Sequence, residues 1–381
     1  MALGASSGGI ERAMMHFEIM LIASMVAIAC AIPGTFLVLK KWALLSDAIA
    51  HSILLGIVLA FWVTNQIQSP LSMLFAVAIG MATVWGSESL VRSKLIKEDA
   101  AIGLIFPVFF SLAVILAFWI GKNTHLDQDA VLLGELALAP LRRFVWAGVD
   151  WGPVSGWYVG VVMMLSIIMT IRFFRPLSVT LFDPLLSKAV GLSPGLGMMG
   201  LMMMVSLTTV VSYDAVGSIL VVCLMVTPAC IALLITRELK RVLIMACVVG
   251  VVAAVLGYWV AVWLDATIAG SIAGTLGVLF LLTFIFSPLQ GVWSHRVLMQ
   301  QEKIEFACKI LVVHLYSHAG TVIENQENTI EHMGRHMNWD IGYSNQVIQF
   351  GLARGYVEWL GDHLNLTALG REWAKSAFSL T

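Results

Sequence analysis

The chain has 381 residues, 59% hydrophobic and only 12% charged, with a mean hydropathy of +0.91. Soluble domains carry about 25% charged residues because their surface must stay hydrated, so this composition excludes an ordinary soluble core. The formal net charge of −1 offers nothing to a nucleic-acid backbone. Five cysteines (Cys30, Cys223, Cys230, Cys247 and Cys308) form no CxxC pair, which argues against a disulfide framework or a zinc knuckle.

Crossing a bilayer as helix takes about 20 apolar residues. In chain order, such segments are expected at Phe17–Leu39, Trp42–Val63, Leu71–Val91, Ala101–Ile120, Val154–Ile171, Pro194–Ser212, Ala215–Thr236, Val242–Leu264 and Ile268–Phe286. The count is nine, or eight if one lies in the interface. Leu126–Leu141 is too short and interrupted to span alone. The N-terminus shows no small-residue cleavage site before a polar start, so the first segment is expected to remain as an anchor.

Lys and Arg gather at Lys40–Lys41, Arg92/Lys94/Lys97, Arg172/Arg175/Lys188 and Arg237/Lys240/Arg241, while the alternate loops carry none. Cytoplasmic loops are the basic ones, so these connections and the C-terminal segment are expected on the cytoplasmic side. The loop holding Lys122, Arg142 and Arg143 breaks the pattern.

After Ser287-Pro288 the composition becomes that of a soluble domain. Helices are expected at Gln301–Tyr316, Thr321–His336 and Ile341–Arg354, then a β-ribbon within GYVEWLGDHLNLTALG and a final helix Gly370–Ser379. That order is the one found in a winged helix-turn-helix domain. The expected fold is therefore an all-α polytopic membrane bundle over residues 1–290, followed by a small cytoplasmic winged-helix-like α+β domain over 297–381.

Four places in the chain could carry chemistry. In LLSDAIAHSILLG, Asp47 and His51 are four apart and share one helix face. Carboxylate and imidazole together suit a divalent Mn, Fe or Zn ion; equally, the two can bond to each other to fix helix packing. Two donors do not complete a shell, and a second copy from a partner would bring them to four. In LFDPLLSKAVGL, Asp183 before Pro184 reads as an N-cap with proline at the first helical position. This short segment (Asp183, Pro184, Leu185, Ala189, Gly191) either docks into a soluble partner or is a capped connector. Asp214, beside Tyr213, either meets an incoming cation at the outer face or is merely solvated there. The loop with His125, Asp127, Asp129 and Glu135 would concentrate cations or simply be hydrated. No GxxxxGK[ST], nucleophile elbow or HExxH occurs, so any ATP hydrolysis must come from another chain.

LLSDAIAHSILLG resembles the GDALSHAVLPG motif of bacterial manganese, zinc and iron ABC permeases. EDAAIGLIFPVFFSLAVIL, HLDQDAVLLGELAL, LFDPLLSKAVGL, VVSYDAVGSILVVCLMVTPA and LGYWVAVWLDATIAGSIAGTLGVLFLLTFIFSP follow in that family's order, covering about Phe17 to Pro288. The resemblance implies a homo- or heterodimeric permease in the bacterial cytoplasmic membrane, working with an ABC ATPase and an extracytoplasmic metal-binding protein. Asp47 and His51 would then be permeation-path metal contacts, and LFDPLLSKAVGL the coupling helix that meets the ATPase. No resident cofactor is implied; the metal is cargo. Ser46, Ala50, Leu55 and Glu135 depart from the family's usual Gly, Ser, Pro and Asn.

The C-terminal extension resembles the winged-helix part of metal-dependent repressors. Its net charge is −3, six Lys/Arg against nine Asp/Glu over 297–381, the wrong sign for DNA. A protein-contact or regulatory role is the expectation instead. His314/His318 and His332/His336 stand at helical i,i+4 spacing, suited to a regulatory metal and equally to surface or packing histidines. Two other readings of the whole chain are a cation-driven secondary carrier and a membrane-tethered regulator.

Overall fold

The computed structural model describes residues 4–65, 70–120, 136–146, 148–191, 193–287, 291–319, 328–329, 336–361 and 363–378. The chain divides into two compact units, Met1–Leu289 and Gln290–Thr381. The first contains α1 (Gly4–Leu39), α2 (Leu44–Thr64), α3 (Pro70–Arg92), α4 (Glu98–Ile120), a 3-10 helix (Leu136–Leu141), a hairpin of β1 (Arg143–Trp146) and β2 (Val149–Pro153), α5 (Val154–Phe182), α6 (Pro184–Ala189), α7 (Pro194–Val216), α8 (Ser218–Ile235), α9 (Leu239–Leu264) and α10 (Ile268–Phe286).

Among the described residues, nine helices are long and apolar enough to cross a membrane: α1 to α5 and α7 to α10. Each coincides with an expected segment. A backbone in hydrocarbon has no water to bond, so every N–H and C=O must be satisfied within the segment, and helix is the solution open to a single chain segment. Successive connections therefore alternate between the two ends of the bundle. Lys40, Arg92 and Arg237 follow the helices that finish at one end; the β1–β2 hairpin and Asp265 lie at the other.

The bundle is built around α1, which packs on α5, α7, α8 and α9, while α2 packs on α3 and α4. Small residues set how close these helices come. A Cβ on Gly34 would stand 1.9 Å from the Met225 carbonyl oxygen, so α1 and α8 meet backbone to backbone. Gly56 does the same for α2 against Ala76 of α3, and Gly257 for α9 against Ile272 of α10. Lipid tails are as apolar as leucine, so helix association in membranes rests on such close packing and on polar contacts rather than on exclusion of water. The polar contacts are present: Ser206 Oγ donates to the Val77 carbonyl at 3.2 Å, and Cys30 Sγ to Ser212 Oγ at 3.4 Å. Many remaining hydroxyls bond back to their own helix, as Thr35 does to Ala31 at 2.7 Å.

Two helices outrun their expected segments: α1 begins already at Gly4, and α5 is the longer departure at its C-terminal end. α5 continues past Ile171 to Phe182, with non-helical backbone at Phe173 (φ −109°, ψ 18°) three residues before Pro176. Proline has no N–H to donate and its ring crowds the preceding turn, so the helix bends there instead of ending. The hairpin after the 3-10 helix was not anticipated at all. Its two short strands pair antiparallel, Arg143 opposite Pro153 and Trp146 opposite Val149.

The second unit holds α11 (Val292–His318), α12 (Ile341–Ala353), β3 (Val357–Leu360), β4 (His363–Leu366) and α13 (Ala368–Phe378). Cys308, Leu311, Val312 and Leu315 form the buried stripe of α11 at 3- and 4-residue spacing, closing on Val347, Val357 and Leu364. β3 and β4 pair with Val357 opposite Leu366, and Gly361 supplies the positive φ (+70°) of their tight turn. Tyr356 and Trp373 stack face to face, 4.7 Å apart. The helix expected at Thr321–His336 lies almost wholly outside the described residues.

Candidate functional site

Asp47 sits in the first turn of α2, where its charge complements the positive end of the helix dipole. One turn on, His51 Nε2 lies 3.4 Å from Asp47 Oδ1. The side chains keep 44% and 36% of their surface open, so both are only half-buried within one chain. His51 is the eighth residue of a 21-residue helix, about 10 Å from its start, in the half nearer the basic connections.

Two aromatic rings from α4 wall the histidine. Phe106 lies 5.9 Å from the imidazole, tilted, and Phe110 6.1 Å away, edge-on. Farther along the same seam, Leu54, Leu55 and Val58 pack on Ala113 and Ala117, closing it with apolar side chains. Sequence reading missed both phenylalanines, although IFPVFF places them four apart on one helix face. At the start of α2, Trp42 Nε1 donates to Glu98 Oε2 at 2.5 Å and Lys40 Nζ lies 3.0 Å from Met198 Sδ, tying α1, α2, α4 and α7 together.

Asp214 is not brought to that pair. It lies in the last turn of α7, which runs parallel to α2, so the two carboxylates stand toward opposite ends of the bundle. Its partner is Arg142, with Nη1 3.7 Å from Oδ2. Arg143 beside it bridges Glu18 of α1 at 2.8 Å and Asp150 of β2 at 3.4 Å. These pairs account for two of the three basic residues in the loop that breaks the charge alternation: both arginines are matched by carboxylates. Lys122, His125, Asp127, Asp129 and Glu135 lie outside the described residues. Among the described residues, no group of three or more His, Cys, Asp or Glu side chains could hold a metal ion, and the Asp47–His51 pair offers two donors.

The segment after α5 forms as its sequence indicates. Asp183 Oδ1 accepts from the Leu185 and Leu186 amides at 3.0 and 2.9 Å, capping α6. Pro184 occupies the first helical position, and Gly191 (φ +79°) turns the chain out after Ala189. Ser187 is buried and lies 3.4 Å from Thr180 Oγ1, which fixes α6 against the end of α5. Leu185 is 79% exposed and Val190 66%, so a short helix on the basic side presents aliphatic side chains outward.

Comparison with known proteins fits this arrangement. The model of the ABC 3 transport family matches residues 13–287. The chain is 40% identical over 370 residues to the zinc transport system membrane protein TroD of Treponema pallidum, covering 96% of this chain and 100% of that one. It is 38% identical to the manganese transport system membrane protein MntD of Bacillus subtilis, over 76% of this chain and 99% of that protein. About a quarter of the chain therefore has no counterpart in the second relative, whereas the first matches nearly throughout. The solved structure of PsaBC from Streptococcus pneumoniae in complex with Fab superposes with a TM-score of 0.59 at 26% identity, covering 72% of this chain and 92% of that one. From the family match and these relatives, the chain belongs to the ABC 3 transport family.

Proposed function

We propose that this chain is the permease subunit of an ABC importer for divalent transition-metal ions, with Asp47 and His51 contacting the ion in the membrane. The observation that carries the reading is the half-exposed Asp47–His51 pair on α2. An ionised side chain facing lipid costs about 2.5–3.5 kcal/mol at the helix centre and less toward its ends, so a half-exposed carboxylate and imidazole in the first half of α2 call for a partner or a wet path. A second permease subunit facing this one supplies both, and its own pair raises two donors to four. Named zinc and manganese relatives support the class of cargo; iron shares the same N/O donor chemistry.

The protein is a multi-pass membrane subunit and hydrolyses no ATP itself; that step belongs to a partner ATPase. We assign α6 as the contact with that ATPase. Its exposed Leu185 fits the apolar groove by which a soluble partner grips a short helix, and its position on the basic, cytoplasmic side puts it within the ATPase's reach. The opposite end, with Arg142, Arg143 and Asp214, faces an extracytoplasmic metal-binding protein. Asp214 acts there by charge, paired to Arg142, rather than as an ion ligand. The membrane is the bacterial cytoplasmic membrane, with residues 297–381 in the cytoplasm.

A winged-helix reading of that C-terminal domain is supported by α12 followed directly by the β3–β4 ribbon. Its acidic balance favours a protein partner over DNA.

The experiment is reconstitution of the permease with its ATPase and binding protein in proteoliposomes. ATP-dependent accumulation of zinc or manganese is expected, with none in vesicles lacking the ATPase. Uptake driven by an ion gradient with no ATPase present would establish a secondary carrier instead.

A further inference from the structure

The β1–β2 hairpin has two unlike faces. Side chains alternate along a strand and cross-strand partners share a face; Val145 stands opposite Asp150. Arg143, Val145 and Asp150 therefore lie on one face, where Arg143 bridges Asp150 at 3.4 Å and Glu18 of α1 at 2.8 Å. The other face carries Phe144, Val149 and Trp151, which are 44%, 56% and 52% exposed. Trp151 is kept on it by the irregular pairing between Arg143 and Val145, where Gly152 takes a positive φ of +92°.

This apolar face runs on into the membrane span that follows. On α5, Trp157, Val161, Met164 and Ile168 form an exposed stripe at 3- and 4-residue spacing. The indole N–H of Trp157 donates to the Trp151 carbonyl at 3.0 Å, joining hairpin and stripe. From Val154 to Arg172 the helix rises about 27 Å, close to the hydrocarbon thickness of about 30 Å. With Arg172 at one water boundary, the hairpin stands at the other. A two-stranded hairpin is marginal on its own in water, so the aromatic face needs a surface to cover it. The outer strand edges carry N–H and C=O groups that hydrocarbon cannot satisfy. The headgroup layer meets both demands. It is wet enough for the edges and apolar enough for the rings, and tryptophan concentrates there.

We propose, on the spans alone and whatever the cargo, that the hairpin Arg143–Pro153 is an interfacial anchor, with Phe144, Val149 and Trp151 set in the lipid headgroup boundary. Arg143 and Asp150 turn the opposite way, to protein and water. Through Arg143 and Glu18 the hairpin ties its depth in the bilayer to α1 as well as to α5.

The test places a nitrobenzoxadiazole label on the full chain in phosphatidylcholine vesicles, at Val149→Cys on the apolar face or Val145→Cys on the charged one. The unsubstituted chain, treated alike, supplies the blank for its five native cysteines. At Val149→Cys the label is expected to lose at least about half its emission to lipid spin-labelled near the headgroup, and little to lipid labelled at the chain end. At Val145→Cys a water-soluble quencher should act instead. Both positions are exposed, so neither exchange should shift melting in detergent. Adding Trp151→Ala removes the ring but keeps the carbonyl that meets Trp157, and should reduce lipid quenching at Val149→Cys. Equal lipid quenching at both positions, or none at either, would overturn the proposal. So would a label at Val149→Cys that lipid leaves untouched and that the second subunit or the metal-binding protein shields, since the face would then be a protein contact.

Discussion

Arg142 and Arg143 are neighbours in sequence and differ in what they hold. Arg142 reaches Asp214 at 3.7 Å, and both side chains are about half exposed. Such a pair contributes about 0–1 kcal/mol. Arg143 reaches Glu18, whose side chain is only 13% exposed, at 2.8 Å. Removing that guanidinium strands a largely buried carboxylate, at a cost of about 1–3 kcal/mol. Thermal melting of the chain in detergent should therefore drop clearly for Arg143→Ala and stay within error for Arg142→Ala or Asp214→Ala. Equal losses in all three would refute the distinction. The adjacency of Asp47 and His51 on one face of α2 was legible because a four-residue spacing on a helix needs no tertiary information. It could not pair Arg143 with a glutamate 125 positions away, so the loop looked like a fault in the charge pattern. Phe106 and Phe110 were invisible for the same reason: their role depends on which helix α4 meets.

Among the elements, the nine apolar helices were legible in number and order, since hydrocarbon accepts little else, though α1 begins earlier and α5 ends later than expected. The shorter pieces were not. The hairpin Arg143–Pro153 has strands of four and five residues with no alternating pattern to mark them. The expected apolar segment stopped at Ile171, yet the helix runs on past the bend at Phe173 to Phe182. Two predictions concern these elements. Gly34→Val forces side-chain atoms into the Met225 backbone, which has little room to move, so α1 and α8 must separate. Overpacking of this kind costs about 1–3 kcal/mol, and melting in detergent should fall accordingly; a neutral result would mean the helices sit farther apart than described. Leu185→Asp tests α6 differently. The side chain is 79% exposed, so the chain should fold and melt normally while co-purification with the ATPase is lost. Retained ATPase binding would move the coupling contact elsewhere.

For the molecule as a whole, the ABC 3 match ends at residue 287 and the second compact unit begins at Gln290. The change in composition after Ser287-Pro288 marks the same place. Among the described residues of the membrane part, many hydroxyls bond within their own helix, and a half-exposed acid–imidazole pair lies on α2. Whether that pair carries the ion is read by uptake in proteoliposomes. Wild type would be compared with Asp47→Ala and His51→Ala, each with the permease dimer, ATPase and binding protein assembled. Either substitution is expected to cut zinc or manganese uptake by at least about tenfold while assembly and ATP binding persist. Unchanged uptake in both variants would mean that the pair only fixes helix packing and that the ion crosses the membrane elsewhere.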